Sequence, residues 1–369
     1  MTQLNSFSVP DFHLPFGNSK HPLAARANAD ATSWAVRHEL VTDAVEQFAG
    51  IGFGHLAGRV SGEVPYETVA LLAEWMAWSF VLDDQHDHLI RTGELEAWRP
   101  VVGAITDHLE TGGTPEASGT PDTQGARRVR QTQGARAAQG AGERRNPLVS
   151  GFVDVCDRIL AGMSEGTAAR YRAHVPLMLH SLDQEAGNRG TVGRPSVDEY
   201  ILMRRHSSQM LPMMDMVEAG LGIDLPQRIH DLPEFKALIA SAVDVISWGN
   251  DVFSLPKEYS CGDNNNLVSL IASWEGCSLA DGVRAVENRI QARIEDFLTG
   301  ERLLVETLDA RGETDGAIRA DVARCVRSYE DWIIGADLWQ RYECTRYSDE
   351  RFAAGLESAY TRPDLVWVA

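Results

Sequence analysis

Apolar residues recur along most of the chain at intervals of three and four, the signature of helices that bury one face. In ATSWAVRHELVTDAVEQF (31–48) the helix-spaced apolar positions are Trp34, Val36, Leu40, Val41, Val45 and Phe48. PYETVALLAEWMAWSFVLDD (65–84) opens on Pro65, well suited to a first helical turn, and runs apolar into a group of aspartates. Further helices are predicted over 146–160, 164–182, 196–222, 232–258, 278–304 and 318–343. Ser196 followed by Glu199 has the form of a capping box. The period-two alternation of strands is not evident, so the pattern predicts an all-α protein with one helical bundle domain. Residues 1–30, rich in Pro, Asn and His, are predicted to be extended, which puts the domain at 31–369.

Residues 111–145 break the rhythm. They are rich in Gly, Ala, Gln, Thr and Arg, carry almost no core-forming side chains, and contain TQGAR at 123–127 and again at 132–136. This composition predicts a disordered, solvated insert between helices, favoured over a basic nucleic-acid arm.

Composition narrows the function. The 369 residues carry a net charge of −19, which disfavours a nucleic-acid partner. No apolar run is long enough to span a membrane, and the N-terminus lacks the basic and apolar regions of a signal peptide. The five cysteines are scattered without a CxxC pair, which fits a cytoplasmic protein better than a disulfide framework or a zinc site. Lysine occurs only at 20, 236 and 257.

Against this background VLDDQHDH (81–88) is conspicuous, because Asp83, Asp84 and Asp87 directly follow a core-facing run. On a helix Asp83 and Asp87 share a face, where like charges repel unless a cation intervenes. A second group lies in GNDVFSLPKEY (249–259), where Asn250, Ser254 and Glu258 are spaced i, i+4, i+8 along one stripe. Amide, hydroxyl and carboxylate oxygens suit Mg²⁺ and are poor zinc ligands. Taken alone, each pattern also fits a solvated helix end or an ordinary polar stripe. Together, on two helices preceded by apolar runs, they are far more specific.

The pair DDQHD (83–87) and NDVFSLPKE (250–258) resembles the two metal-binding motifs of bacterial class I terpene synthases. The resemblance covers most of the chain outside 111–145. It implies a helical cyclase that holds three Mg²⁺ ions, with Mn²⁺ as a substitute, against a substrate diphosphate. Asp83 is implied as a direct ligand, Asp87 as a less direct one, and Asn250, Ser254 and Glu258 as the chelators of a further ion. The family places a diphosphate-sensing arginine about 46 residues before the motif's Asn, which selects Arg204 over its neighbour Arg205 on spacing alone. It also implies diphosphate contacts from Lys257 and from an Arg-Tyr pair. Arg346-Tyr347 is favoured for that pair, and Arg341-Tyr342 competes. Two departures stand out: serines occupy 207 and 208, where a small residue such as glycine is usual after the sensor arginine, and the interval from Trp339 to Arg346 is one residue longer than usual. Ser208 is kept as a substrate contact through its carbonyl.

The implied reaction ionises an allylic diphosphate and cyclises the carbocation in a dry cavity, with aromatic faces stabilising positive charge. Phe80, one turn before Asp83, is the favoured aromatic. Trp332 and Trp339 are further candidates, as are Trp75, Trp78, Trp248 and Phe253, each of which also fits plain core packing. Farnesyl diphosphate is the expected substrate and geranylgeranyl diphosphate the second choice. The alternatives are a chain-elongating prenyl diphosphate synthase, disfavoured because the second motif is not aspartate-rich, and a non-catalytic helical scaffold. Monomer and homodimer are both compatible with the sequence.

Overall fold

The computed structural model describes residues 8–111, 146–188, 195–261, 263, 265–348 and 357–366. Beyond Thr111 the insert predicted at 111–145 lies outside them; Thr111 itself ends a helix. The described residues form fourteen α-helices, two short 3₁₀ turns and no strand. None of the helices is long and apolar enough to cross a membrane.

The first helix corrects the predicted boundary. α1 spans Ala24–Arg37 and so begins inside the stretch predicted as extended, 1–30. Its early signal was weak because small alanines, Ala24, Ala27 and Ala31, form the buried face there. That face meets α3 (Phe53–Val60) across two glycines. A Cβ on Gly54 would lie 2.0 Å from the Asn28 backbone nitrogen, and one on Gly58 would lie 2.6 Å from Ala24 Cβ. The helix predicted over 31–48 is also interrupted. The chain turns at Glu39 and Ala44, both in the left-handed region, before α2 (Val45–Ala49).

α4 (Tyr66–Thr92) is buried on nearly every side, as an all-round apolar helix should be. It packs against α1, α3, α6 (Pro147–Ala161) and α9 (Met210–Gly220). Between α4 and α6 lie α5 (Trp98–Thr111) and a 3₁₀ turn, Leu95–Ala97. α7 (Glu165–Asn188) leads to α8 (Val197–Ser207), whose capping box forms as expected: Ser196 Oγ accepts from the Glu199 N–H, and the Glu199 carboxylate accepts from the Ser196 N–H.

The predicted 196–222 helix is in fact two. α8 ends at Ser207 and α9 begins at Met210, because Gln209 takes a φ of +64°. A buried non-glycine residue adopts that backbone only where its surroundings hold it there. After α10 (Gln227–His230), α11 (Pro233–Cys261) runs unbroken through Pro256 and packs against α13 (Leu279–Ala310) and α14 (Gly316–Tyr342). α12 (Leu267–Glu275) joins α11 to α13, and a 3₁₀ turn, Thr345–Ser348, follows α14.

Candidate active site

α3, α4, the α8–α9 break, α11, α14 and the Thr345–Ser348 turn surround one cavity of about 890 Å³, its open mouth included. Of the residues singled out in the sequence, Phe80, Asp83, Arg204, Ser208, Asn250, Ser254, Lys257, Glu258, Trp332, Trp339, Arg346 and Tyr347 all line it. Leu56, Met210, Met213 and Ile246 add apolar wall. On α4 Phe80 precedes Asp83, on α11 Ile246 precedes Asn250, and past α14 the tryptophans precede Arg346. Each of these stretches brings both apolar and polar liners to the cavity.

Hydrogen bonds tie the polar liners together. Asn250 Oδ1 accepts from Arg204 Nη2 at 3.0 Å, and Asn250 Nδ2 donates to Tyr347 Oη at 2.7 Å. Arg204 also donates through Nε to Asp251 (3.1 Å). The buried Asp251 carboxylate further accepts from Tyr200 Oη (2.7 Å) and the Leu267 N–H (2.9 Å). Asn266 Nδ2 donates to Glu258 at 2.7 Å. Ser254 Oγ donates to the Asn250 carbonyl at 2.9 Å, one turn back. Behind the helix break, Ser207 Oγ donates to Glu185 at 2.5 Å.

The three aspartates of α4 have different surroundings. Asp83 faces the cavity. Asp84 turns away and forms a two-pronged pair with Arg346 at 2.6 and 2.9 Å. Asp87 is not a cavity liner; it accepts from Lys257 Nζ at 3.0 Å. The competing arginines are placed elsewhere. Arg205 clasps Asp244 at 2.8 Å, and Arg293 reaches the same carboxylate. Arg341 is bound to Asp337, and Tyr342 is 74% exposed. Trp75 and Trp78 are core side chains, their rings packed at a tilt against Phe152 at the α4–α6 contact, while Trp248 lines a separate recess beside Arg205. Phe253 packs against the Tyr347 ring at 5.8 Å.

Burial makes the electrostatics of this end uneven. Burial opposes charge on Arg204, yet Asp251 and its other anionic neighbours hold it well above the ordinary arginine range. Lys257 is likewise raised, by Asp87 above all, against its burial. Burial also opposes ionisation of Asp84, but Arg346 keeps its carboxyl below the usual range. Asp83 is pushed up to about 6 by burial and then by Asp87, and Glu258 up to about 8 by burial and then by Asp263 and Asp251. Glu185 rises to about 7, again through burial.

Burial and neighbouring carboxylates thus disfavour negative charge on two cavity-facing carboxyls, the condition that a hard cation with oxygen ligands relieves. Among the described residues no three His, Cys, Asp or Glu side chains close on one point. A cation here would draw on the Asn250 and Ser254 oxygens and on those of its ligand. The residues present fit such a group.

Sequence patterns had not singled out Tyr200, Glu185, Asn266 or Tyr360, and had not seen that Asp84 and Asp251 hold arginines. Asp251 sits inside the second motif, so its position was visible although its partner was not.

A helical cavity lined by oxygen donors, buried cations and aromatic rings is suited to an anionic group carried on a hydrocarbon. Residues 74–296 match the family described as terpene synthase family 2, C-terminal metal binding. The chain belongs to the terpene synthase family and is a bacterial-type class I enzyme. It is 26% identical over 351 residues to epi-isozizaene synthase of Streptomyces coelicolor, covering 93% of this chain and 89% of that one. Pentalenene synthase of Streptomyces exfoliatus is 28% identical over 332 residues, covering 87% and 90%. A 4-epi-cubebol synthase of Streptosporangium roseum, described as farnesyl diphosphate cyclizing, is 25% identical over 347 residues, covering 92% of each. The fold is shared with hedycaryol synthase in complex with nerolidol, at a TM-score of 0.72 and 20% identity over 90% of this chain and all of that one.

Proposed function

We propose that the protein is a Mg²⁺-dependent cyclase of farnesyl diphosphate, releasing a terpene hydrocarbon or alcohol and inorganic diphosphate. The observation that carries this reading is that Asp83 lines one cavity together with Asn250, Ser254, Glu258, Arg204, Lys257, Arg346 and Tyr347 and with the rings of Phe80, Trp332 and Trp339. The relatives support the chain length, since the 4-epi-cubebol synthase is described as cyclising farnesyl diphosphate. Geranylgeranyl diphosphate is the second choice of substrate.

Three Mg²⁺ ions would be held by Asp83, with Asp87 less directly, and by Asn250, Ser254 and Glu258. When bound they supply the positive charge that lets diphosphate leave. The protein's own cations, Arg204, Lys257 and Arg346, add to that charge, and Tyr347 offers a hydroxyl. Their positions are set in advance by Asp251, Asp87 and Asp84, so little reorganisation is required when the C–O bond ionises. Phe80, Trp332 and Trp339 present rings to the carbocation, and such a face contributes about 0.5–2 kcal/mol. Met210, Met213 and Ile246 offer the cation hydrocarbon in place of the water that would quench it early.

The test is diphosphate release from farnesyl diphosphate by the purified protein, with Mg²⁺ and with EDTA. Release that requires Mg²⁺, and that falls about 100-fold or more in Asn250→Ala with the helical spectrum intact, is the expected result. Metal-independent release, or full activity of Asn250→Ala, contradicts the reading.

A further inference from the structure

Segment 357–366 is tied to the aspartate-bearing end of α4 and to its neighbours. Glu357 pairs with His88 (2.5 Å) and Arg91 (2.6 Å), the Ala359 N–H donates to Gln47 (3.1 Å), and Asn146 Nδ2 donates to the Leu365 carbonyl (2.7 Å). Within this segment Tyr360 is 4% exposed, with its ring edge-on to Phe48 at 5.2 Å. Its hydroxyl accepts from Arg346 Nη1 at 2.6 Å and donates to Asp84 Oδ2 at 3.0 Å.

Arg346 is a cavity liner; Tyr360 and Asp84 are not. The two hydrogens of Arg346 Nη1 are directed to Asp84 and Tyr360, and Nη2 donates to the other Asp84 oxygen. The Asp84 contacts do not by themselves oppose rocking of the guanidinium about the axis of the carboxylate pair. A third point, off that pair, fixes the plane, while the Phe80 ring lies 5.6 Å from the guanidinium carbon. The tyrosine hydroxyl also gives Asp84 a donor without adding charge.

We infer that Tyr360 is a positioning residue for Arg346: its hydroxyl sets the orientation in which the guanidinium meets the substrate's diphosphate. The inference rests on Arg346 being a diphosphate contact. Substrate recognition then depends on a tyrosine in the C-terminal segment that itself stays clear of the cavity.

Tyr360→Phe keeps the ring against Phe48 and removes only the hydroxyl. Binding of inorganic diphosphate in the presence of Mg²⁺ is measured by titration calorimetry, alongside kcat and KM with farnesyl diphosphate. The expected result is diphosphate binding and kcat/KM weakened about tenfold, the scale of one hydrogen bond to a charged group. The melting temperature should stay within about 3 °C of the parent. Arg346→Lys, which loses the two-pronged geometry while keeping charge, should also weaken binding. Adding Tyr360→Phe to Arg346→Lys should then cost nothing further, because both changes act through one group. If Arg346→Lys is weakened while Tyr360→Phe binds like the parent, or if the two losses multiply, Tyr360 does not act through Arg346. If Arg346→Lys binds diphosphate like the parent, the assignment of Arg346 fails and takes the role of Tyr360 with it.

Discussion

Replacing Asp251 with Asn changes no volume and removes one charge, and the structure says what that should do. Oδ1 of Asp251 takes Arg204, through Nε at 3.1 Å and Nη2 at 3.0 Å, and Oδ2 takes the Tyr200 hydroxyl and the Leu267 N–H. An amide has one acceptor oxygen. If it faces Arg204, the Leu267 N–H confronts an NH₂ group; if it faces Leu267, the guanidinium does. Orphaning a buried donor and weakening a buried ion pair together cost about 3–5 kcal/mol. A chain of this length unfolds with an entropy of about 0.8 kcal/mol/K, at about 2.1 cal/mol/K per residue, so the melting temperature should fall by about 4–6 °C. Arg204 also loses its fixed partner and is left with Asn250 Oδ1 within the cavity. A misplacement near 1 Å costs about 100-fold in rate, so kcat/KM should drop by one to two orders of magnitude. Scanning calorimetry and initial rates of diphosphate release read the two effects. A melting temperature within about 1 °C of the parent together with kcat/KM within about twofold would refute the reasoning.

Three further expectations follow from other parts of the molecule. Gly54→Ala forces a Cβ into the Asn28 backbone at the α1–α3 crossing, and should destabilise by about 1–3 kcal/mol or more in denaturant unfolding; an unchanged midpoint would show that the crossing yields easily. Asp83→Ala should lower diphosphate release by about 100-fold or more while the far-ultraviolet spectrum is unchanged, and normal turnover would remove Asp83 from the metal set. Asp331 is pushed up to about 6, by burial first and by Glu63 and Glu330 as well, although Arg327 opposes them. Because its folded pKa lies above the unfolded value, its favourable contribution is complete below about pH 4 and is lost as the pH rises through about 6. Asp331→Asn should therefore melt higher than the parent at pH 8, with the gain shrinking toward pH 4; a gain independent of pH would count against this origin.

Local patterns carried the long helices, because α4, α11, α13 and α14 bury apolar residues at helical spacing. They failed where the cause was tertiary. The turn at 38–44 interrupts a stretch whose apolar spacing continues through it, so the pattern favoured one helix over two. The α8–α9 break rests on Gln209 in a left-handed conformation, and nothing in SSQM forbids a helix there. α3 was missed because its glycines, which let α1 approach, weaken any helical signal. In the site, residue types and spacing marked the side chains that line the cavity, since Asp83 and the Asn250, Ser254, Glu258 stripe are each local on one helix. Partners were illegible. Asp84 finds Arg346 across 262 positions and Asp87 finds Lys257 across 170, and only the folded chain shows that the second and third aspartates of α4 hold cations.

The most direct test of the central claim is product analysis by gas chromatography with mass detection. The purified protein would be incubated with Mg²⁺ and, separately, geranyl, farnesyl and geranylgeranyl diphosphate. The account predicts a cyclic C15 hydrocarbon or alcohol from farnesyl diphosphate, abolished by EDTA. A cyclic C20 product alone would overturn the substrate, and longer linear diphosphates would contradict cyclisation itself.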